Sequence, residues 1–230
     1  MNFYKFSAII FLSIILFFRI LDGFCGDGPG NEVILTFNIH LVQEVYEESD
    51  WGEPPQFAIW LEEPETKKVQ TVFVTHRTAT GRFEGKVECP VSLPVWIGVF
   101  RRETGRKDFP TPQKPFLESV TGATPKTEHF STNAKVPKGS FWYYYIEMNV
   151  SGDFNQFFPS ILPNGGPDYH GNGQPSLIYR GEIKAVKGEY SKPKIIGRTD
   201  QLYFTTEIIS DLKGIDSAKS VFEDAFVICK

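Results

Sequence analysis

Short segments in which apolar and polar residues alternate recur along the chain, and they constrain its fold more than any other feature. In the first, Val33 to Leu41, every second residue is apolar. Such a period of two is typical of a strand that buries one face. Phe141 to Met148 (FWYYYIEM) is aromatic on both faces, which indicates a central strand. Further strands are predicted at 57–61, 69–75, 87–90, 95–101, 177–183, 202–208 and 226–229.

The composition favours the same class of fold. Aromatic residues make up 15% of the 230 residues, and 16 Pro and 20 Gly supply the turns that many short strands need. Only 217–224 resembles a helix, and no strand alternates with a long helical segment. We therefore expect an all-β fold, an immunoglobulin-like antiparallel β-sandwich.

The amino-terminal segment predicts export. Phe6 to Phe18 is apolar apart from two Ser, and its 13 residues are fewer than the roughly 20 that span a bilayer. They suit the core of a signal peptide instead. Gly23 and Cys25 fit the small positions before a cut at Gly26. The expected organisation is a signal peptide at 1–25 and a single domain at 26–230.

The predicted location is periplasmic or secreted, with no membrane span after cleavage. A lipid anchor on Cys25 is the less favoured alternative, because Phe24 is bulky where lipidation sites carry a small residue. The net charge of −4 and the absence of a basic tract disfavour nucleic acid as a partner. Two alternatives remain open for Cys89 and Cys229: one disulfide, or two buried thiols.

Motifs of catalysis and metal binding are missing from the sequence. There is no CxxC, no GxSxG and no phosphate-binding glycine loop. The four histidines fall in separate segments, so each is interpreted as a surface or hydrogen-bonded residue, and no metal site is predicted. The histidines are His40, His76, His129 and His170.

The connection at 151–176 is unusually long and rich in Gly and Pro. Loops beyond about 12–15 residues are commonly functional or disordered. Its aromatic residues predict a loop that packs down onto the domain, which makes it a candidate binding element. They are Phe154, Phe157, Phe158 and Tyr169.

The segment at 118–124 (ESVTGAT) carries the most specific short motif. Gly122 permits a tight turn, and the small Ala123 leaves the hydroxyl of Thr124 accessible. The pattern of an acid, Glu118, before Thr121-Gly122-Ala-Thr124 resembles the site at which bacterial flavin transferases attach FMN to exported electron carriers. That resemblance implies FMN esterified to Thr124. A structural turn in which Thr124 caps backbone groups is the alternative.

The chain also resembles, from about residue 31 to 229, the bacterial family of predicted periplasmic proteins called domain of unknown function 2271 (DUF2271). The resemblance implies an immunoglobulin-like sandwich with no assigned activity, whose gene often accompanies genes for flavin transfer and membrane electron transfer. Lys126-Thr127, where Pro-Gly is frequent, and the loop at 151–176 depart from the family pattern. The segments that carry the resemblance are 55–62, 69–74, 93–96, 120–125, 139–142 and 173–177.

Two functions are therefore expected, neither of them catalytic. The first is an envelope accessory module that binds another envelope protein, with no cofactor. The second is an extracytoplasmic electron carrier with covalent FMN on Thr124, for which Glu118, Thr121 and Gly122 would form the attachment site. A flavin transferase and membrane redox proteins would then be its partners.

Overall fold

A computed structural model describes residues 31–83, 89, 91–116, 120–122 (backbone only) and 128–230. The signal peptide predicted at 1–25 lies outside these residues, as does most of the strand predicted at 87–90. Val33–Lys230 forms one compact unit. The strands are β1 (Glu32–Leu41), β2 (Gln56–Glu62), β3 (Val69–Thr75), β4 (Val120–Gly122), β5 (His129–Pro137), β6 (Phe141–Asn149), β7 (Leu177–Lys184), β8 (Tyr190–Ser191), β9 (Lys194–Arg198) and β10 (Phe222–Cys229).

These strands form two sheets, one of four strands in the order β5-β1-β10-β8 and one of six in the order β4-β3-β2-β6-β7-β9. Pairing is antiparallel between β1 and β10 and across β3-β2-β6-β7-β9, and parallel between β3 and the short edge strand β4. The prediction of a mostly β, antiparallel sandwich is thereby confirmed.

The main hydrophobic core lies between the two sheets. The alternating residues of β1 that were predicted to be buried, among them Leu35, Phe37 and Ile39, pack there against Phe57 and Tyr144 of the larger sheet. Strand β5, which sequence reasoning missed, alternates in the same way between buried and exposed residues. The four-stranded sheet thus places polar residues opposite its buried face, as an antiparallel layer with one solvated face does.

The larger sheet is buried on both faces, and its second face carries a helix where a strand was expected. The segment at 95–101 belongs to α3 (Pro94–Thr104), which follows the short helices α1 (Gln43–Glu47) and α2 (His76–Thr80). A second core joins Trp96 and Phe100 of α3 to Ala58, Trp60 and Val74 of the sheet. The strand prediction was wrong because burial of this apolar segment against the sheet overrides its β-branched composition.

The prediction of a strand at 202–208 was also wrong. This segment has no regular pairing beyond a bridge between Arg198 and Ile209. It packs against the α3 region instead: the rings of Phe204 and Phe109 are 5.2 Å apart, and Thr206 lies against Gly98. The expected helix at 217–224 is a single 3₁₀ turn, Ser217–Ser220, followed directly by β10.

Candidate functional site

The described part of the predicted attachment motif, Val120–Gly122, lies on the edge of the six-stranded sheet. In the parallel pairing of β3 and β4, Val74 is opposite Thr121 and Thr75 is opposite Gly122. Glu118 and Thr124 lie outside the described residues. The structure therefore places the backbone of Thr121 and Gly122 at a sheet edge, and Thr124 stays a prediction.

A cleft lies close to β4 and is linked to it through Thr75 and Gln56. The hydroxyl of Thr75, the ladder partner of Gly122, donates to Oε1 of Gln56 at 2.7 Å, and Gln56 lines the cleft. Arg77 brings a cation to it and pairs with Glu53, Nη2 to Oε2 at 3.2 Å. The cleft combines flat apolar surfaces with this ion pair. Its other described lining residues are Trp51, Pro54, Phe83, Cys89, Ser92 and Ser151.

Cys89 and Cys229 are free, buried thiols, which is the second of the two alternatives left open by the sequence. Burial raises the pKa of Cys89 to about 12 and raises that of Cys229 as well. Both thiols are therefore protonated at neutral pH, and a protonated thiol is a poor nucleophile. Cys89 contributes a packing surface to the cleft, with its Sγ 4.0 Å from Oδ1 of Asn172.

The loop at 151–176 is held by a buried carboxylate, Asp168. Its Oδ1 accepts from the backbone N–H of His170 at 3.0 Å, and its Oδ2 accepts from those of Asn172 and Gly173 at 3.0 and 3.1 Å. The side chain of Gln201 donates to the same Oδ2 at 3.1 Å. A carboxylate that accepts several N–H groups fixes the backbone around it, so Asp168 ties the second half of the loop to the segment after β9.

A second carboxylate, Asp153, fixes the first half of the loop. Its Oδ2 accepts from Nε2 of Gln174 at 2.7 Å and from the hydroxyl of Ser217 at 2.8 Å. Burial raises the pKa of Asp153, while the bonds from Ser217 and Gln174 act in the opposite direction. Gln174 lies near the end of the loop, and Ser217 lies just before β10. This network therefore ties the first half of the loop both to its own end and to the segment that leads into β10.

Trp51 also secures the loop, because its indole ring packs against two glycines of the loop, Gly152 and Gly171. Gly171 has a φ of +56°, and a Cβ at this position would lie 2.1 Å from the Trp51 ring. A Cβ at Gly152, where φ is +78°, would lie 2.9 Å from the same ring. Only glycine combines these φ values with such close approach. The indole thus packs directly on the loop backbone and forms one wall of the cleft.

The loop nevertheless presents apolar side chains to solvent. Phe157 is 51% exposed, Ile161 59% and Tyr169 79%. The loop packs down onto the domain, as its aromatic residues predict, through Phe158, which packs against the main core, while Phe157 and Tyr169 stay more than half exposed. The loop is thus fixed by hydrogen bonds and carries three apolar side chains that are more than half exposed, together called the loop surface (Phe157, Ile161 and Tyr169).

Glu147 is a fully buried acid that sequence reasoning missed. It lies on β6, on the face covered by α3, and accepts from the backbone N–H of Val95 at 3.2 Å and of Trp96 at 2.7 Å. The hydroxyl of Ser176 donates to it at 2.7 Å. Burial raises the pKa of Glu147 to about 7, against the opposing effect of these bonds. Glu147 caps the first turn of α3 from a neighbouring strand.

Two of the histidines that the sequence places far apart lie together in the structure. The rings of His40 and His129 stack with their centroids 4.5 Å apart. The two residues come from β1 and β5, which are neighbours in the four-stranded sheet. A prediction that β1 pairs with a strand starting at His129 would have found them, but β5 was not recognised from the sequence.

Comparison of the chain with protein-family models, with curated proteins and with solved structures found no match. Within the part of the chain that the structure describes, no helix is long and apolar enough to cross a bilayer.

Proposed function

We propose that this chain is an exported, non-catalytic module that binds another envelope protein through the loop surface. The observation that supports this most directly is the combination of order and exposure at 151–176. Asp168 and Asp153 fix the loop backbone through the hydrogen bonds described above. Phe157, Ile161 and Tyr169 nevertheless remain more than half exposed.

A preordered apolar surface favours association. A flexible loop loses conformational entropy when it binds, and a loop already fixed by hydrogen bonds avoids most of that loss. Exposed aromatic residues such as Phe157 and Tyr169 are typical centres of protein interfaces, because they bury a large area with few rotatable bonds. The loop surface therefore has the features of a binding site for an apolar patch on a partner protein.

The two acids whose pKa values are raised have structural roles in this domain. Glu147 and Asp153 have raised pKa values, and raised values often mark catalytic acids. Here Glu147 is sealed beneath α3, and Asp153 is engaged by Gln174 and Ser217. Both carboxyl groups hold a segment of the protein in place.

The proposal includes the location and family expected from the sequence. A signal peptide at 1–25 would deliver the domain to the periplasm or the exterior, where envelope proteins are available as partners. The immunoglobulin-like type of the sandwich and the resemblance to DUF2271 belong to the same proposal. The two-sheet architecture supports it.

Site-specific photo-crosslinking in the native envelope tests this function. A photoreactive phenylalanine analogue replaces Tyr169 or Phe157 in the loop surface, and Phe141, an exposed aromatic residue on β6, provides the matched control. We expect one adduct of the same mass from both loop positions and none from Phe141. A second substitution, Ile161→Ser, should abolish that adduct. Adducts of equal yield at all three positions, or none at the loop, would contradict the proposal.

The cleft beside β4 favours a second candidate function, an electron carrier with FMN on Thr124. Arg77, which pairs with Glu53, places a guanidinium where a phosphate could bind, and Trp51 and Phe83 supply flat apolar surfaces. The cleft itself has room for only about 30 Å³, against roughly 300 Å³ or more for sites that enclose a drug-sized ligand, so a flavin anchored near Gly122 would lie against these residues and not inside the cleft. Bound FMN would supply the electron-transfer chemistry, while this chain would hold and orient it.

Co-expression with a bacterial flavin transferase tests this candidate. We expect a fluorescent band in a denaturing gel that Thr124→Val removes and that Thr66→Val, at an exposed threonine outside the attachment site, retains. The Arg77→Gln substitution should lower the flavin content without abolishing it. If the wild-type chain carries no fluorescence, or if Thr124→Val stays as fluorescent as the wild type, the assignment to Thr124 is wrong.

A further inference from the structure

We propose that His40, Glu128 and His129 form a binding site for a divalent transition metal, with Zn²⁺ as its best match, on the four-stranded sheet. The ligand atoms of these three side chains all lie within 4.8 Å of one another. None of the three residues belongs to the loop surface or to the cleft. The site is therefore independent of both proposed functions.

Backbone pairing brings the three residues together. His40 is the penultimate residue of β1, His129 is the first residue of β5, and these strands are adjacent in the sheet. The N–H of Leu41 donates to the carbonyl of Glu128 at 2.6 Å. The register of two paired strands, rather than a chance contact between flexible side chains, thus sets the cluster.

A β-bulge in the third strand orients one of the imidazoles. In the β1–β10 ladder, His40 is opposite Asp224 and Leu41 is opposite Phe222, so Glu223 is the extra residue of the bulge. Bulges of this kind redirect a side chain. Oε2 of Glu223 lies 2.6 Å from Nδ1 of His40. This contact fixes the ring with Nδ1 engaged by a carboxylate.

An imidazole held in this way is prepared to bind a metal. Histidines that bind metals commonly donate their other ring N–H to a carboxylate, which fixes the tautomer and makes the ligand nitrogen more basic. With Nδ1 of His40 bonded to Glu223, Nε2 remains as the ligand atom. Glu223 therefore acts as a positioning residue for His40.

The distances suit one small ion after minor side-chain rotation. Zn²⁺ binds nitrogen and oxygen at about 2.0–2.2 Å, which holds tetrahedral ligand atoms roughly 3.4 Å apart. Glu128 and His129 are exposed, so their side chains can rotate to close this gap. Two imidazoles and a carboxylate favour Zn²⁺ or a similar transition metal over Ca²⁺ and Mg²⁺, which prefer all-oxygen sites. Water or a partner's ligand would complete the coordination.

Calorimetric titration of the purified, metal-free protein with Zn²⁺ tests this site. We expect one ion per chain, and the same affinity in His76→Ala, which removes an exposed histidine elsewhere. The His129→Ala and Glu128→Ala substitutions, each at an exposed position, should weaken binding at least tenfold. Glu223→Gln should weaken it about tenfold while one ion still binds. Ca²⁺ and Mg²⁺ at the same concentration should not compete.

Imidazole ¹⁵N spectra supply a readout that is independent of affinity. With Zn²⁺, Nε2 of His40 should show the shift of a metal-bound nitrogen while Nδ1 keeps its proton, and the signals of His76 and His170 should not move. Absence of saturable binding would overturn the proposal. It would also be overturned if His129→Ala and Glu128→Ala, both folded by circular dichroism, bound Zn²⁺ as tightly as the wild type.

Discussion

Helix α3 and the loop at 151–176 both lie outside the strands, and each is held by a buried carboxylate. They differ in their apolar side chains, which α3 buries and the loop leaves partly exposed. Glu147 binds the first turn of α3, and the helix buries Trp96 and Phe100 against the sheet. Asp168 binds the turn at 170–173, and the loop leaves Tyr169 exposed.

This difference distinguishes a structural role from a binding role. Burying the apolar residues of α3 contributes directly to the free energy of folding. The exposed residues of the loop surface contribute little to it, so hydrogen bonds to Asp168 and Asp153 keep the loop in shape instead. We infer that substitutions in α3 will act on global stability, whereas substitutions in the loop will act on local order and on binding.

The largest effect is expected when α3 loses its central side chain. Trp96 is fully buried, and its Nε1 donates to Oγ1 of Thr71 at 3.2 Å. Trp96→Ala should lower the free energy of unfolding by about 3–5 kcal/mol, because it opens a cavity and removes this bond. Denaturation with urea measures the change. Trp96→Phe, which keeps most of the volume, should cost only about 1–2 kcal/mol; equal costs would show that packing is not the main contribution.

Glu147 should make stability depend on pH. Its pKa rises from 4.5 to about 7 on folding, so between these values the folded state keeps a proton that the unfolded state has lost. The free energy of unfolding should therefore fall as the pH rises from 4.5 to 7, by roughly 3 kcal/mol in total at about 1.4 kcal/mol per pH unit.

The Glu147→Gln variant should lack this component, because its amide is neutral at every pH in the range. Unfolding curves of both proteins between pH 4 and 8 provide the measurement. The difference between wild type and Glu147→Gln isolates the contribution of this acid from other titrations. A difference that stays constant across the range would contradict the buried, raised-pKa acid.

Asp168 should affect the loop more than the whole protein. Asp168→Asn replaces a carboxylate oxygen by an N–H₂ group and weakens the bonds to the amides of His170, Asn172 and Gly173. We expect faster hydrogen exchange at these amides and a global cost of about 1–2 kcal/mol. Asp211→Asn, which alters a surface carboxylate, should leave exchange at 170–173 unchanged. Uniformly faster exchange across the domain in Asp168→Asn would show that the loop is not a separate unit.

The smallest effect on stability is expected at Tyr169. Since this side chain is 79% exposed, Tyr169→Ala should change the free energy of unfolding by no more than about 0.5 kcal/mol. The same substitution should abolish crosslinking from position 157. Tyr203, 72% exposed and outside the loop, provides the matched control: Tyr203→Ala should leave both stability and crosslinking unchanged. If Tyr169→Ala destabilised the domain strongly, the loop surface would be part of the core.

The strands of the sandwich could be predicted because alternation reports burial on one face. This held for β1, and aromatic residues on both faces identified β6 as a strand. Composition failed for α3, whose Val, Ile and Trp residues resemble a strand. Pro94 at the first helical position and Gly105 at the end, with φ of +71°, were the available helix signals. These two signals were outweighed because the packing of α3 on the second face of the six-stranded sheet is evident only in the assembled fold.

The contacts of the candidate sites were less predictable. The donors to Asp168 come from residues 170–173 and from Gln201, which only the folded chain brings together. Glu147 did leave a sequence signal, since a lone acid within an otherwise buried strand requires partners. The stack of His40 on His129 depends on a strand pairing that the sequence did not reveal. Strands can be recognised locally, whereas these sites depend on the contacts between them.

Hydrogen exchange of the amides of Asn172 and Gly173 tests the central claim, an ordered loop with an exposed apolar surface, most directly. Both N–H groups donate to Asp168, so the free wild-type protein should protect them well beyond the earliest labelling time. Tyr169 should remain accessible to chemical labelling in the same sample. Complete exchange of both amides at the earliest time, or a Tyr169 ring shielded from the label, would contradict the account.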